Sequence, residues 1–66
     1  MPMTVRQVRA ALILAGWVTV SQRGSHEKWR SPDGRRTAIV FGKDSGTMPA
    51  GTLASIRRQT GMDYLR

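Results

Sequence analysis

The 66-residue chain has no cysteine, one histidine and only four acidic residues. Without cysteine there is no disulfide and no thiolate zinc site, so the thin core of so short a chain depends on packing or on a partner. One histidine without a cluster of carboxylates also leaves no ligand set for a metal and no hydrolytic triad. We therefore expect no metal and no cofactor, and any catalysis must use few side chains.

Long apolar runs are also lacking. The apolar run at 10–15 is far shorter than the roughly 20 residues that a membrane-spanning helix requires. Gly16 and Trp17 lead directly into strand-like sequence, which does not fit a signal peptide. We therefore expect a cytoplasmic protein without a membrane partner.

Positive charge, in contrast, is abundant. Eleven Lys and Arg residues give a formal net charge of +7 and a sequence pI of about 11.7. Such an excess favours a polyanionic partner, because each phosphate neutralised by a basic side chain releases condensed counterions. Nucleic acid is the first expectation. An acidic protein partner is the alternative that charge alone leaves open.

Two helices are predicted, one near each end of the chain. Thr4 precedes the first, and Gln7 lies three residues later, the spacing of a capping box. Its apolar residues recur at steps of three and four: Val5, Val8, Leu12 and Ala15. The second helix, at 50–60, carries Leu53 and Ile56 on one side. Four arginines are predicted to be solvated on the outer faces of these helices: Arg6, Arg9, Arg57 and Arg58.

Between the helices the sequence alternates with a period of two, which is typical of strands. Three strands are predicted, at 17–23, 26–31 and 35–41. Gly24 and Ser25 fit a two-residue hairpin turn, and the Ser-Pro-Asp-Gly segment supplies the second turn. The prediction is an α+β fold in one domain over 1–66: helix, three-stranded antiparallel sheet, helix. Both helices would cover one face of the sheet and leave the other open.

The first hairpin has a register that follows from its turn. Counting outward from Gly24 and Ser25 places Arg23 opposite His26, Ser21 opposite Lys28 and Thr19 opposite Arg30. Val20 would face Trp29 on the other side, with Trp29 in the core. The open face would then carry a histidine among cations: Arg23, His26, Lys28 and Arg30.

The second hairpin gives a looser expectation. A bulge at Gly34 would place Arg30 across from Arg36 and Trp29 across from Thr37. Three residues of the third strand would then point into the core: Thr37, Ile39 and Phe41. A shift of one residue would reverse every side chain of that strand.

A histidine among cations suits one reaction in particular. Histidine is the side chain most readily used as a general base or acid near neutral pH. A neutral imidazole takes the proton of a ribose 2′-hydroxyl, which then attacks the neighbouring phosphorus, while the cations stabilise charge on the phosphate. DNA lacks that hydroxyl. An incidental histidine beside a turn is the reading that spacing alone leaves open for His26.

A resemblance favours the catalytic reading. The segments "GWVTVSQRGSHEKWRSPDGRR" and "GTLASIRRQTG" resemble the HicA family, the small toxins of bacterial HicAB toxin-antitoxin systems. The resemblance runs from the first helix to Gly61. It implies a ribonuclease that cleaves mRNA and arrests translation, on a fold like the double-stranded RNA-binding domain. It also implies a HicB-like antitoxin that obstructs the active site.

The family's catalytic histidine lies in a Gly-Ser-His turn, which maps onto Gly24, Ser25 and His26. Many relatives have a second histidine after the third strand, where this chain has the segment "VFGKDSG". If that histidine assists elsewhere, either Lys43 or a nearby backbone donor substitutes for it here or the role is not needed. The identity of the general acid is therefore open, with Lys28, Lys43 and Ser25 as candidates.

The sequence thus predicts a metal-independent endoribonuclease toxin. His26 would be the general base, and RNA would be bound by the turn and the neighbouring cations: Gly24, Ser25, Arg23, Lys28 and Arg30. A non-catalytic RNA-binding module of the same fold is the first alternative. A basic adaptor for an acidic protein is the second.

Overall fold

The computed structural model describes residues 3–42 and 46–65. The elements follow in the order α1 (Val5–Leu14), β1 (Val18–Arg23), β2 (His26–Arg30), β3 (Thr37–Phe41) and α2 (Ala50–Thr60). The three strands form one antiparallel sheet in the order β1-β2-β3. The predicted α+β fold is confirmed.

Helix α1 begins as its sequence predicts. The Thr4 hydroxyl accepts the backbone N–H of Gln7 at 3.1 Å, and the Gln7 side chain accepts the N–H of Thr4 at 2.8 Å. Both bonds satisfy donors that a helix start leaves unpaired. The residues before α1 also pair with the segment before α2, since Met48 donates its backbone N–H to Met3 at 2.8 Å. The two helix starts are thereby joined.

Helix α2 follows Pro49 and ends at Gly61. Gly61 has φ 73° and donates its backbone N–H to Arg57 at 2.8 Å, the left-handed cap that glycine forms at least cost. Leu53 and Ile56 are buried, as their spacing predicts.

A single core lies between the helices and one face of the sheet. From the strands it takes Trp29, Ala38 and Val40, which cross-strand pairing places on the same face. From the helices and connections it takes Val5, Val8, Leu12, Trp17, Met48, Leu53, Ile56, Met62 and Leu65. Both helices therefore cover this face, called here the helix-side face. Strand alternation predicts Trp17 on the face of Thr19, Ser21 and Arg23, away from the core. That prediction is wrong, since Trp17 is buried in the core.

The first hairpin confirms the predicted register near its turn and corrects it further away. Gly24 has φ 56°, and Ser25 does not have a positive φ, which fits a turn with glycine at its first central position. Arg23 pairs with His26 and Ser21 with Lys28, as predicted.

A bulge then shifts the far end of the same hairpin. Between Thr19 and Ser21 the register moves by one residue, so that Thr19 pairs with Trp29 and Val18 with Arg30. The predicted pairs of Thr19 with Arg30 and of Val20 with Trp29 are therefore wrong. Because Val20 is the extra residue of a bulged edge strand, it is left without a cross-strand partner.

The second hairpin lies one residue away from its predicted register. Arg30 pairs with Thr37 and Trp29 with Ala38. The cause is a wider turn, closed by a backbone bond from the N–H of Ser31 to the carbonyl of Arg36 at 3.0 Å. The buried Ser31 hydroxyl accepts the N–H of Arg36 at 3.0 Å, which fixes this closure.

That shift reverses the third strand. Ala38 and Val40 lie in the core, whereas Ile39 and Phe41 are 40% and 39% exposed. The predicted inward orientation of Thr37, Ile39 and Phe41 is wrong for all three.

Candidate functional site

The face of the sheet away from the helices is called here the open face. Cross-strand pairing places these side chains on it: Val18, Ser21 and Arg23 from β1, His26, Lys28 and Arg30 from β2, and Thr37, Ile39 and Phe41 from β3. All of them are exposed. None of these nine is acidic, so the open face has no carboxylate to neutralise its cations in the described part of the chain.

His26 is the first residue of β2, directly after the turn. Its cross-strand neighbours are Arg23 on β1 and Phe41 on β3. The imidazole and the Phe41 ring stack with centroids 5.1 Å apart and planes 19° apart. This contact was missed by sequence reasoning because the predicted register buried Phe41.

The three predicted cations share the face of the histidine. Arg23 lies opposite His26, and Lys28 and Arg30 follow at alternate positions along β2. Alternate residues of a strand are about 7 Å apart, comparable with the distance between successive phosphates of an extended RNA chain. An open depression of about 380 Å³ at this hairpin is lined by Ser21, Gln22, Arg23, His26, Glu27, Lys28 and Ile39. The structure thus brings the histidine together with two of the cations, with Arg30 further along.

Gly24 and Ser25 form the turn that presents the histidine. A side chain at Gly24 would meet no atom within 4 Å, so glycine serves there for its positive φ and not for lack of space. Ser25 is exposed beside His26. Both residues lie where the sequence predicted them.

The helix-side face below the histidine holds an ion pair. Arg9 donates through Nε to Glu27 Oε1 at 2.7 Å and through Nη2 to the Gly42 carbonyl at 3.2 Å. Trp29 Nε1 donates to the same Glu27 oxygen at 3.3 Å. Arg9 therefore links α1 to Glu27, the neighbour of His26, and to Gly42, the neighbour of Phe41.

This network corrects the prediction for the helix arginines. Arg9 is not a solvated charge, and Arg57 donates to the backbone carbonyl of Leu65 at 2.9 Å. One signal was available for Arg9: strand alternation places Glu27 on the same side as Trp29, near enough to the turn to reach water, and a carboxylate that is partly covered there needs a cation. The network leaves Glu27 on the face away from His26.

Two further expectations concern residues and groups around the site. Lys43, one of the candidates for the general acid, lies outside the described residues. Within residues 3–42 and 46–65, no three side chains among His, Cys, Asp and Glu come close enough to hold a metal ion. No helix of that part is long and apolar enough to cross a membrane.

Comparison with known families agrees with this arrangement. Residues 5–62 match the family described as the HicA toxin of bacterial toxin-antitoxin systems. The chain belongs to the HicA family. As a HicA protein it is the toxin of a toxin-antitoxin system, and a cognate antitoxin partner is implied. No curated protein sequence matches the chain.

Proposed function

We propose that this HicA protein is a metal-independent endoribonuclease that cleaves mRNA and so inhibits translation. The observation that carries the proposal is the place of His26, exposed on a cationic face that has no acidic side chain among residues 3–42 and 46–65. Such a face attracts the RNA backbone, and its only histidine lies at the edge of the turn, where a ribose can approach.

The proposed reaction needs one base and one acid. His26 takes the proton from a ribose 2′-hydroxyl, and the oxygen attacks the adjacent phosphorus. The bond from phosphorus to the 5′-oxygen of the next nucleotide breaks, and that oxygen takes a proton from the acid. The products are a 2′,3′-cyclic phosphate and a 5′-hydroxyl end.

The cations support this step by charge. Arg23 lies opposite His26, and Lys28 follows it on the open face, so both lie near the phosphate that His26 would serve. Negative charge that develops on the phosphate oxygens is stabilised by such fixed positive groups. Lys28 and Ser25 are the described candidates for the acid, and Arg30 binds the RNA backbone further along.

The cognate antitoxin is proposed to be a HicB-like protein that covers the open face. A partner that presents carboxylates to this face would neutralise its cations and exclude RNA. It would also stabilise the small toxin domain by mass action.

The decisive experiment is His26→Gln. We expect cleavage of an mRNA substrate to fall by at least about 100-fold, since general bases contribute about 10²–10⁴-fold, while RNA affinity stays nearly unchanged. Wild-type cleavage should persist when divalent ions are chelated, and mass spectrometry of the fragments should find cyclic phosphates.

A matched pair of charge variants separates binding from catalysis. Arg30→Gln removes one cation from the open face, and Arg58→Gln removes one from an exposed position of α2. The first should weaken RNA binding, and the second should not.

Full cleavage by His26→Gln would show that His26 is not the base. RNA binding without cleavage by the wild type would favour the non-catalytic module, and tight binding of an acidic protein without RNA affinity would favour the adaptor.

A further inference from the structure

We propose that Phe41 is the positioning residue of the site, and that its ring, in place of a carboxylate, orients the imidazole of His26. This inference rests on the proposed function, since it assigns His26 the role of base. The inference adds to the proposed function a positioning role for Phe41 of β3, and the contact between the two rings supports that role.

The contact is direct and nearly parallel. The ring centroids of His26 and Phe41 are 5.1 Å apart, the planes differ by 19°, and the two residues are cross-strand partners. Offset stacking within this range is a favoured geometry for aromatic pairs. Because both backbones are fixed by the sheet, the stack restricts the rotation of an otherwise exposed imidazole.

No other side chain in the described part of the chain orients the imidazole of His26. Neither imidazole nitrogen has a hydrogen-bond partner among those residues, and the open face has no carboxylate. Glu27 is adjacent in sequence but lies on the helix-side face, where Arg9 and Trp29 Nε1 bind it. Stacking contacts the face of the imidazole and occupies neither nitrogen, so both nitrogens can bind the substrate.

Phe41 lies on the open face beside the histidine and not in the core. The core takes the smaller Ala38 and Val40 from β3, while Phe41 remains 39% exposed. Cross-strand pairing with His26 places its ring against the imidazole.

The stack also suits the charge that the reaction creates. When His26 takes a proton it becomes a cation beside Arg23, and that proximity is unfavourable. The face of an aromatic ring attracts a cation through its quadrupole. Phe41 thus stabilises the imidazolium that forms during proton transfer, which is an effect on the transition state.

The test compares Phe41→Leu with Phe41→Tyr, and uses Tyr64→Leu as the control. Tyr64 is an exposed aromatic residue after α2, so its replacement removes a ring of similar size away from the open face. We expect kcat of Phe41→Leu to fall by about threefold to tenfold with KM nearly unchanged. Phe41→Tyr keeps the ring and should restore most of kcat, and Tyr64→Leu should match the wild type.

A second readout does not depend on cleavage. In the NMR spectrum of the wild type, the ring current of Phe41 should shift the imidazole protons of His26, and Phe41→Leu should abolish that shift while the fold is retained. Unchanged kcat in folded Phe41→Leu, with His26 still essential, would overturn the inference alone. Equal losses in kcat for Phe41→Leu and Phe41→Tyr would do the same. A His26→Gln variant that cleaves RNA like the wild type would overturn both proposals.

Discussion

The two faces of strand β2 differ in the burial and in the bonding of their side chains. On the helix-side face, Glu27 and Trp29 are covered, and the glutamate is bound by Arg9 and by the tryptophan itself. On the open face, His26, Lys28 and Arg30 alternate with them and remain exposed, with no acidic partner in the described part of the chain.

The difference shows which contacts serve the fold and which are left for a partner. The helix-side face satisfies its own polar groups, and no buried side-chain nitrogen or oxygen in the described residues lacks a hydrogen bond. On the open face, no acidic side chain of residues 3–42 and 46–65 neutralises the positive charge. Such a face is complementary to a polyanion or to an acidic protein, as the proposed function requires.

The largest expected effect is the difference in the free energy of unfolding between a substitution on the helix-side face and one on the open face. Trp29→Ala should reduce the free energy of unfolding by about 3–5 kcal/mol, because it removes a 4% exposed side chain from a small core. The adjacent Lys28→Ala should change it by less than about 0.5 kcal/mol, as surface substitutions do. Urea denaturation measures both. Equal losses would show that the open face contributes to the fold as much as the core.

A smaller effect is expected for the ion pair below the site. Arg9→Met should cost about 1–3 kcal/mol, since it leaves the half-buried Glu27 and the Gly42 carbonyl without this donor. Arg6, exposed on the same helix, is the matched control, and Arg6→Met should change stability by less than about 0.5 kcal/mol.

The pairing itself is measured by a double-mutant cycle. The losses of Arg9→Met and Glu27→Gln should be less than additive by about 0.5–3 kcal/mol when combined. Strict additivity would show that the contact adds nothing beyond the two separate side chains.

Local patterns were sufficient to predict the fold. The capping box at Thr4, the apolar spacing in both helices and the glycine turn at Gly24 each depend on residues close in sequence, and each is confirmed. The order of elements and the open face followed from them. The cationic set around His26 also followed, because it depends on counting only a few residues from a tight turn.

The wrong predictions for the sheet concern strand pairing, where each shifted register differs from the predicted one by a single residue. The bulge near Val20 and the wider turn at Ser31 each shift pairing by one position. Because strand side chains alternate, the second shift moved Phe41 from the core to the histidine. Both faces of β3 are apolar, so hydrophobic pattern alone could not choose between them. The observed register goes with the turn that Ser31 and Arg36 close.

The smallest effect concerns that turn, which determines the face on which Phe41 lies. The Ser31 hydroxyl donates to Asp33 Oδ1 at 2.5 Å and the Arg35 backbone N–H donates to it at 3.0 Å, and these bonds lower the pKa of Asp33. A lowered pKa in the folded state stabilises the fold above the unfolded value of about 3.9, and this is lost as pH falls through the folded pKa.

Asp33→Asn should therefore lower the melting temperature slightly at neutral pH. The difference from the wild type should shrink as the pH falls below about 4, where the carboxylate of the unfolded chain takes up its proton, and should vanish as the pH falls through the lowered pKa of folded Asp33. Ser31→Ala removes the larger of the two causes and should reduce the same pH dependence. Melting curves from pH 7 downward measure all three proteins. A difference that stays constant across this range would show that the charge of Asp33 does not stabilise the turn.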